Sequence, residues 1–363
     1  MAQLWDNPMQ TDGFEFVEYA NLDPKGLGDV FERMGFTAVA KHRHKDVMLY
    51  RQGEVNFIVN AERDSFGQAF ARMHGPSVCA IAFRVKDAAA AYKRALALGA
   101  WGVEAAPGPM ELAIPAIKGI GDSLIYLVDR YPENAFGRAI YDVDFAPLPG
   151  FEAFWAGEAA APEGAGLLQV DHLTHNVHRG RMKEWADFYE RLFNFREIRY
   201  FDIEGKLTGV KSKAMVSPCG KIRIPINESA DDRSQIQEYL DAYRGEGIQH
   251  IALQTADIYR TVDRLLACRV KFLDTPDTYY ELLPQRLPNA GEPLDALRAR
   301  RILVDGGADG GLLLQIFTET LVGPIFFEII QRKGDQGFGE GNFKALFESM
   351  ELDQIRRGKL KTP

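Results

Sequence analysis

The sequence predicts an α+β protein of two domains, built from tandem modules of one strand, one helix and three strands (βαβββ). The chain of 363 residues exceeds the roughly 250–300 at which one hydrophobic core stops growing. A run of small and flexible residues at 156–166, AGEAAAPEGAG, is typical of a linker. On both sides of it, strand-like and helix-like periodicities alternate in the same order. We therefore expect an N-terminal domain over 1–155 and a C-terminal domain over 167–363.

The first half contains two such modules. FEFVEYAN predicts a strand, LGDVFERMGF predicts a helix with apolar residues at three- and four-residue steps, and VMLYRQG and VNFIVNA predict further strands. The second module begins with SVCAIAFRVKDAAAAYKRALALGA, in which a strand, an Asp-containing turn and an amphipathic helix follow one another.

The second half repeats this order. VDHLTHNV predicts its first strand, MKEWADFYERLF the helix, and REIRYFDI, LTGVKSKAMVS and KIRIPINE the following strands. GIQHIALQTADIYRTVDRLLACRV parallels the second module of the first half. Near the C-terminus, FKALFESMELDQIRR predicts an amphipathic helix, which the glycine-rich run RKGDQGFGEGNF connects to the preceding strand.

Composition and charge narrow the classes of function. The net charge of −8 and pI near 5.5 disfavour nucleic-acid binding, which needs clustered basic surface. No apolar run approaches the ~18 residues of a membrane span, and the first residues lack the pattern of an export signal. Three scattered cysteines predict reduced thiols and not a disulfide framework. We expect a cytoplasmic protein that acts on a small molecule.

Three residues in apolar runs form a candidate metal site. His172 lies in LLQVDHLTHNV, His250 in GIQHIALQT and Glu328 in IFFEIIQR. Two histidines and one carboxylate suit iron(II), manganese or zinc with open positions, while the lack of thiolates disfavours structural zinc. Each histidine alone could be an ordinary core residue, but a buried glutamate without a cation would be costly.

The first half serves as an internal control for this site. Aligning the repeats places Glu18 opposite His172, and Ala80 and Tyr126 opposite the other two ligands. These residues do not form a metal set. We therefore expect one metal site, in the C-terminal domain.

Several motifs together resemble the 4-hydroxyphenylpyruvate dioxygenase family, over nearly the whole chain. They are VDHLTHNV, RIPINE, SQIQEYLDAYRGEGIQHIAL, LLLQIFTET, FFEIIQRKG and GFGEGNFKALFESMELDQ. The resemblance implies the vicinal-oxygen-chelate (glyoxalase-like) architecture, in which paired βαβββ modules form two open half-barrels. It implies one iron(II) per chain, bound by His172, His250 and Glu328, and a C-terminal helix that covers the active site.

The same resemblance implies a reaction and its site. The substrates would be 4-hydroxyphenylpyruvate and dioxygen, and the products homogentisate and carbon dioxide, in tyrosine and phenylalanine catabolism. The side chain loses carbon dioxide, the ring gains a hydroxyl and the carboxymethyl group migrates. The substrate-binding or catalytic residues carried over are Ser212, Pro225, Asn227, Gln235, Gln249, Gln315, Phe317, Phe326, Phe338, Asn342 and Phe343. Alone, Asn227 and Gln235 are also typical of turns or surfaces, and the phenylalanines of an apolar core.

Two alternatives stay open at the sequence level. A 4-hydroxymandelate synthase would use the same substrate and metal but oxidise the benzylic carbon, and Pro225 and Phe343 favour the dioxygenase. A metal-free binding protein on the same scaffold is disfavoured by the complete triad. We further expect a homo-oligomer, a dimer or tetramer, by analogy.

Overall fold

Two mixed β-sheets, one from each half of the chain, form the framework of the protein. The computed structural model describes residues 3–104, 107–108, 110–204, 209–229, 234–288, 290–306 and 310–346. The first sheet has nine strands in the order β6-β7-β8-β5-β1-β4-β3-β2-β9. The elements of this half are β1 (Thr11–Ala20), α1 (Pro24–Arg33), β2 (Thr37–His42), β3 (Val47–Gln52), β4 (Val55–Asn60), α2 (Phe66–His74), β5 (Ser77–Val85), α3 (Ala88–Ala97), β6 (Gly102–Val103), β7 (Ala116–Lys118), β8 (Leu124–Val128), α4 (Ile140–Asp144), β9 (Phe145–Pro147) and α5 (Glu152–Trp155).

The second sheet has eight strands in the order β11-β12-β13-β10-β14-β17-β16-β15. Its half contains β10 (Leu167–Val177), α6 (Met182–Phe193), β11 (Arg196–Glu204), β12 (Gly209–Val216), β13 (Arg223–Ser229), α7 (Gln235–Tyr243), β14 (Gly247–Thr255), α8 (Ile258–Ala267), α9 (Asp277–Arg286), α10 (Leu294–Arg300), β15 (Leu303–Gly306), β16 (Leu312–Phe317) and β17 (Phe326–Lys333). A last helix, α11, occupies residues 340–346. The rest of the predicted terminal helix, 347–357, lies outside the described residues.

The four predicted βαβββ modules are confirmed by the strand pairing. In the first half β1 pairs parallel to β4 and antiparallel to β5, which pairs parallel to β8. In the second half β10 has the same relation to β13 and β14, and β14 pairs parallel to β17. The two sheets are thus two copies of one arrangement.

The Asp-containing turns predicted before the amphipathic helices act as helix caps. Asp87 accepts a hydrogen bond from the backbone N–H of Ala90 at the start of α3, at 2.9 Å. Asp257 does the same for Arg260 in α8, at 3.1 Å. Each carboxylate satisfies one of the backbone donors that a helix start leaves unpaired.

A single hydrophobic core joins the two halves of the chain. Phe57 of β4 packs on Phe327 of β17 with ring centroids 6.0 Å apart, and Phe83 of β5 packs on Phe193 of α6 at 5.3 Å. The segment 156–166 contains no helix or strand. The division into two domains at this segment stays a prediction. Within the described residues, no helix combines the length and the apolar composition of a membrane span.

Candidate metal centre

His172, His250 and Glu328 meet because their strands are neighbours at the centre of the second sheet. In the register of β10, β14 and β17, His172 and Glu328 both pair with Ala252 from opposite sides. His250 lies two residues before Ala252 on β14, hence on the same face and diagonal to both other residues. The side chain of Ala252 on this face is a single methyl group. The register of the sheet thus brings together three residues that are far apart in the sequence.

The ligand atoms of the three residues converge on one point. They all lie within 4.8 Å of one another, and this is the one such group of His, Cys, Asp and Glu in the part of the chain that the structure describes. Nε2 of His172 is 3.3 Å from Oε2 of Glu328, and Nε2 of His250 is 3.5 Å from the same oxygen. All three side chains are buried. Two imidazoles and one carboxylate without thiolate form a donor set that fits a divalent iron with open positions.

The electrostatics of the cluster favour a cation. Burial opposes the ionisation of Glu328, but His172 and His250 beside it hold its pKa below the ordinary value. Burial likewise opposes a charge on His172, but the carboxylates of Glu328 and Asp171 raise its pKa. The site therefore keeps a buried carboxylate ionised by placing positive charge next to it, a task that a bound metal ion would also fulfil.

Asp171 orients the metal-ligand candidate His172, and it is a residue that the sequence analysis missed. Its Oδ1 accepts a hydrogen bond from Nδ1 of His172 at 2.9 Å, so the ring presents Nε2 to the cluster. Simple strand alternation places Asp171 on the opposite face, and that expectation is wrong. A register shift of β10 between Val170 and His172 lets the two side chains meet. Arg332 donates from Nε and Nη2 to both oxygens of this carboxylate, each at 2.7 Å.

Two of the predicted polar residues link the cluster to α11. Nε2 of Gln315 donates to Oε1 of Glu328 at 3.3 Å, and Nδ2 of Asn342 donates to Oε1 of Gln315 at 3.0 Å. Both residues are 1% exposed. Oδ1 of Asn342 in turn accepts from the hydroxyl of Tyr279 at 2.6 Å. The start of the terminal helix is therefore joined to a candidate metal ligand through one intervening side chain.

Aromatic rings surround the two imidazoles. Phe326 stacks on His250 at a centroid distance of 4.8 Å, and Phe317 meets the same ring edge-on at 6.4 Å. Phe338 meets His172 edge-on at 5.4 Å. The structure thus brings these three predicted phenylalanines to the cluster.

The remaining predicted residues lie on strands of the second sheet and on two helices. Gln249 is buried beside His250, with Oε1 at 3.4 Å from Nδ1 of that ring. Ser212 of β12 pairs with Asn227 of β13, and Pro225 lies two residues before Asn227 on the same face. Gln235 is exposed at the first position of α7, and Phe343 is 43% exposed on α11. The roles of these residues in substrate binding stay predictions.

The register corrects the alignment of the two halves. Phe16 pairs with Ala82, which pairs with Tyr126, so that Phe16 is the counterpart of His172. Glu18 pairs with Ala80 and corresponds to Thr174. Tyr126 and Ala80 are the counterparts of Glu328 and His250, as predicted. The sequence comparison of Glu18 with His172 was wrong by two residues.

Comparisons with known proteins agree with this architecture. Residues 5–146 match the family described as hydroxyphenylpyruvate dioxygenase (HPPD), N-terminal, and residues 169–283 match the glyoxalase, bleomycin resistance protein and dioxygenase superfamily. The chain is 58% identical to 4-hydroxyphenylpyruvate dioxygenase of Pseudomonas sp. (strain P.J. 874), over 99% of this chain and 100% of that protein. The chain belongs to the 4-hydroxyphenylpyruvate dioxygenase family.

Two further relatives place the chain within this family. The protein of the same name from Pseudomonas aeruginosa is 58% identical over 97% of both chains. A solved structure of a 4-hydroxymandelate synthase mutant from Streptomyces coelicolor is similar with a TM-score of 0.79 and 28% identity, covering 95% of this chain and 100% of that one. The α+β glyoxalase-like fold of a 4-hydroxyphenylpyruvate dioxygenase is thereby confirmed, and the synthase is the more distant relative.

Proposed function

We propose that this chain oxidises 4-hydroxyphenylpyruvate with dioxygen to homogentisate and carbon dioxide. The observation that carries the proposal is the buried set of His172, His250 and Glu328, in a chain 58% identical to a 4-hydroxyphenylpyruvate dioxygenase. One iron(II) per chain, held by these residues, would supply the redox chemistry with dioxygen and leave positions open for the substrate.

The protein contributes a rigid and dry environment for the ligands. Gln315 holds Oε1 of Glu328, while Oε2 faces the two imidazoles. Asp171 fixes the tautomer of His172. Phe326 covers one face of His250, which limits the access of water to that side. These contacts fix the ligand geometry before any substrate arrives.

The substrate contacts form the second part of the proposal. We assign the apolar ring contacts to Phe317, Phe326, Phe338 and Phe343, because ring faces favour offset or edge-on packing with an aromatic substrate. We assign the polar contacts to uncharged side chains, which can donate to or accept from a phenol without forcing it to ionise. They are Ser212, Asn227, Gln235, Gln249, Gln315 and Asn342, next to Pro225.

The test is product identification with purified protein, iron(II) and ascorbate. We expect dioxygen uptake with 4-hydroxyphenylpyruvate and one homogentisate per dioxygen, identified by chromatography and mass. 4-Hydroxymandelate as the main product would contradict ring hydroxylation and support the synthase. Absence of turnover with verified iron loading would support a binding protein on this scaffold. Glu328→Ala serves as the control that removes a ligand and should abolish both iron binding and turnover.

The cellular setting is part of the same proposal. The reaction would serve the breakdown of tyrosine and phenylalanine in the cytoplasm, without nucleic acid or membrane as a partner. We also propose a homo-oligomer, a dimer or tetramer. Light scattering of the purified protein at two concentrations measures its mass, and a particle of 40.7 kDa at both would contradict this assignment.

A further inference from the structure

We propose that Arg332 is a positioning residue that joins the metal-ligand candidate His172 to the loop of residues 334–339, which leads into α11. The inference rests on the proposed function only for the presence of a metal ion. The guanidinium of Arg332 would hold the imidazole of His172 and the loop before α11 in one fixed arrangement.

Arg332 contacts Asp171, the residue that orients His172. Arg332 lies four residues after Glu328 on β17, so the two side chains share one face of the strand. Its side chain is 5% exposed and binds both oxygens of Asp171, at 2.7 Å each. Asp171 accepts from Nδ1 of His172 with the same carboxylate. Bidentate, charge-assisted bonds of this kind fix the orientation of the carboxylate as well as its position.

The same guanidinium also contacts the loop of residues 334–339. Nη1 of Arg332 donates to the backbone carbonyl of Asp335 at 3.2 Å and to that of Gly337 at 2.7 Å. The guanidinium carbon lies 5.8 Å from the ring centroid of Phe338. Every nitrogen of the guanidinium is thus engaged, two on Asp171 and the third on the loop.

Arg223 makes a parallel connection. Nη1 of Arg223 donates to Oδ2 of Asp171 at 3.2 Å, and Nη2 donates to Oε1 of Gln336 at 2.8 Å. Asp171, with a buried side chain, therefore receives hydrogen bonds from two arginines that both also hold the loop. Because Phe338 packs on His172 from this loop, a shift of the loop would move the Arg332 contacts and the neighbour of the ligand ring together.

The coupling predicts a specific effect of Arg332→Gln. Loss of the bidentate bond should lower the affinity for cobalt(II), used as a probe, by roughly 10–100-fold, as for other outer-shell partners of metal ligands. Loss of the carbonyl contacts should also speed tryptic cleavage after Lys344 in α11, with or without metal. Lys333→Gln is the matched control, because it removes the same charge one residue along the strand, where Lys333 pairs with Glu292 on the other side.

The experiment measures the cobalt(II) dissociation constant by competition with a chelator, the cobalt absorption spectrum, and the rate of cleavage after Lys344 by mass spectrometry. We expect Arg332→Gln to change all three and Lys333→Gln to change none. Arg332→Lys, which keeps the charge but not the two parallel bonds to Asp171, should lower the affinity less than Arg332→Gln does and should still speed the cleavage. If Arg332→Gln does not fold, Arg332→Lys still tests whether the guanidinium holds the loop.

A double-mutant comparison decides whether Arg332 acts through Asp171. If it does, Asp171→Asn combined with Arg332→Gln should lose little more affinity than the worse single variant. Multiplied losses would overturn the proposal, and so would equal behaviour of Arg332→Gln and Lys333→Gln. Failure of the unaltered protein to bind cobalt(II) would instead contradict the proposed function, while the cleavage rates would still decide the loop contact.

Discussion

Replacing His175 tests how burial controls a titratable group on the same strand as the candidate metal ligand His172. His175 is 0% exposed on β10, and its Nε2 lies 2.7 Å from the hydroxyl of Tyr189 on α6, away from the cluster. Burial lowers the pKa of His175 from 6.5 to about 3, because the charged imidazolium would lose its hydration. The imidazole of the folded protein is therefore neutral at pH 5 and at pH 7.

The direction of the pH effect follows from the numbers of protons that the folded and the unfolded chain bind. In the unfolded chain the imidazole has a pKa of about 6.5 and binds a proton at pH values at which the folded chain does not. The stabilising contribution is thus intact above about pH 6.5 and is lost as the pH falls from there towards about 3. Between pH 7 and pH 5 the free energy of unfolding should fall by about 2 kcal/mol from this group, at about 1.4 kcal/mol for each pH unit below about 6.5.

The assay is urea unfolding of the metal-free protein at pH 7 and pH 5. His175→Asn should lower the stability at pH 7, but its loss between the two pH values should be smaller than that of the unaltered protein by about 2 kcal/mol. Tyr189→Phe should keep the pH-dependent loss, because burial and not the hydroxyl contact causes the pKa shift. An unchanged pH-dependent loss in His175→Asn would refute the reasoning.

Three further predictions concern the site itself. Glu328→Gln should weaken cobalt(II) binding by more than the roughly 10–100-fold typical of outer-shell changes, because the one anionic ligand is lost; calorimetric titration measures this. Gly339→Ala should lower both kcat and metal affinity, since a Cβ there, at φ +77°, would overlap Oε1 of Gln315 and displace the amide that donates to Glu328; an unchanged kcat with an unchanged cobalt(II) dissociation constant would contradict this. Phe326→Ala should uncover the stacked face of His250 and raise KM several-fold, and an unchanged KM would remove Phe326 from the substrate site.

The repeat and the metal set could be predicted from the sequence because they depend on local patterns. Alternating apolar residues gave the strands, and Asp87 and Asp257 marked the helix starts. His172 and His250 alone resemble ordinary core residues, and only the combination with Glu328 indicated a metal set. Glu328 stood out because burying its charge requires a partner.

The contacts of Asp171 and Arg332 could not be predicted, because they depend on irregular pairing and on long-range geometry. A register shift beside Val170 brings Asp171 to His172, and no sequence pattern indicates such a bulge. The strand pairing shows that the counterpart of His172 in β1 is Phe16, which the weak sequence similarity of the repeats did not indicate. Arg332 resembled an ordinary charged residue near a strand end.

The shared core of the two halves was also beyond a sequence prediction. Apolar residues such as Phe57 and Phe327 are expected to be buried, but periodicity does not say against which element. Only the packed structure decides that the strands of one half pack against those of the other.

The assignment of His172, His250 and Glu328 as metal ligands requires one ion bound between them. Anomalous diffraction from crystals of the iron-loaded protein, recorded on both sides of the iron absorption edge, locates that ion. We predict one peak per chain, within coordinating distance of Nε2 of His172, Nε2 of His250 and a carboxylate oxygen of Glu328. A peak elsewhere, or no peak in protein with verified iron content, would contradict the assignment of these three residues as the metal ligands.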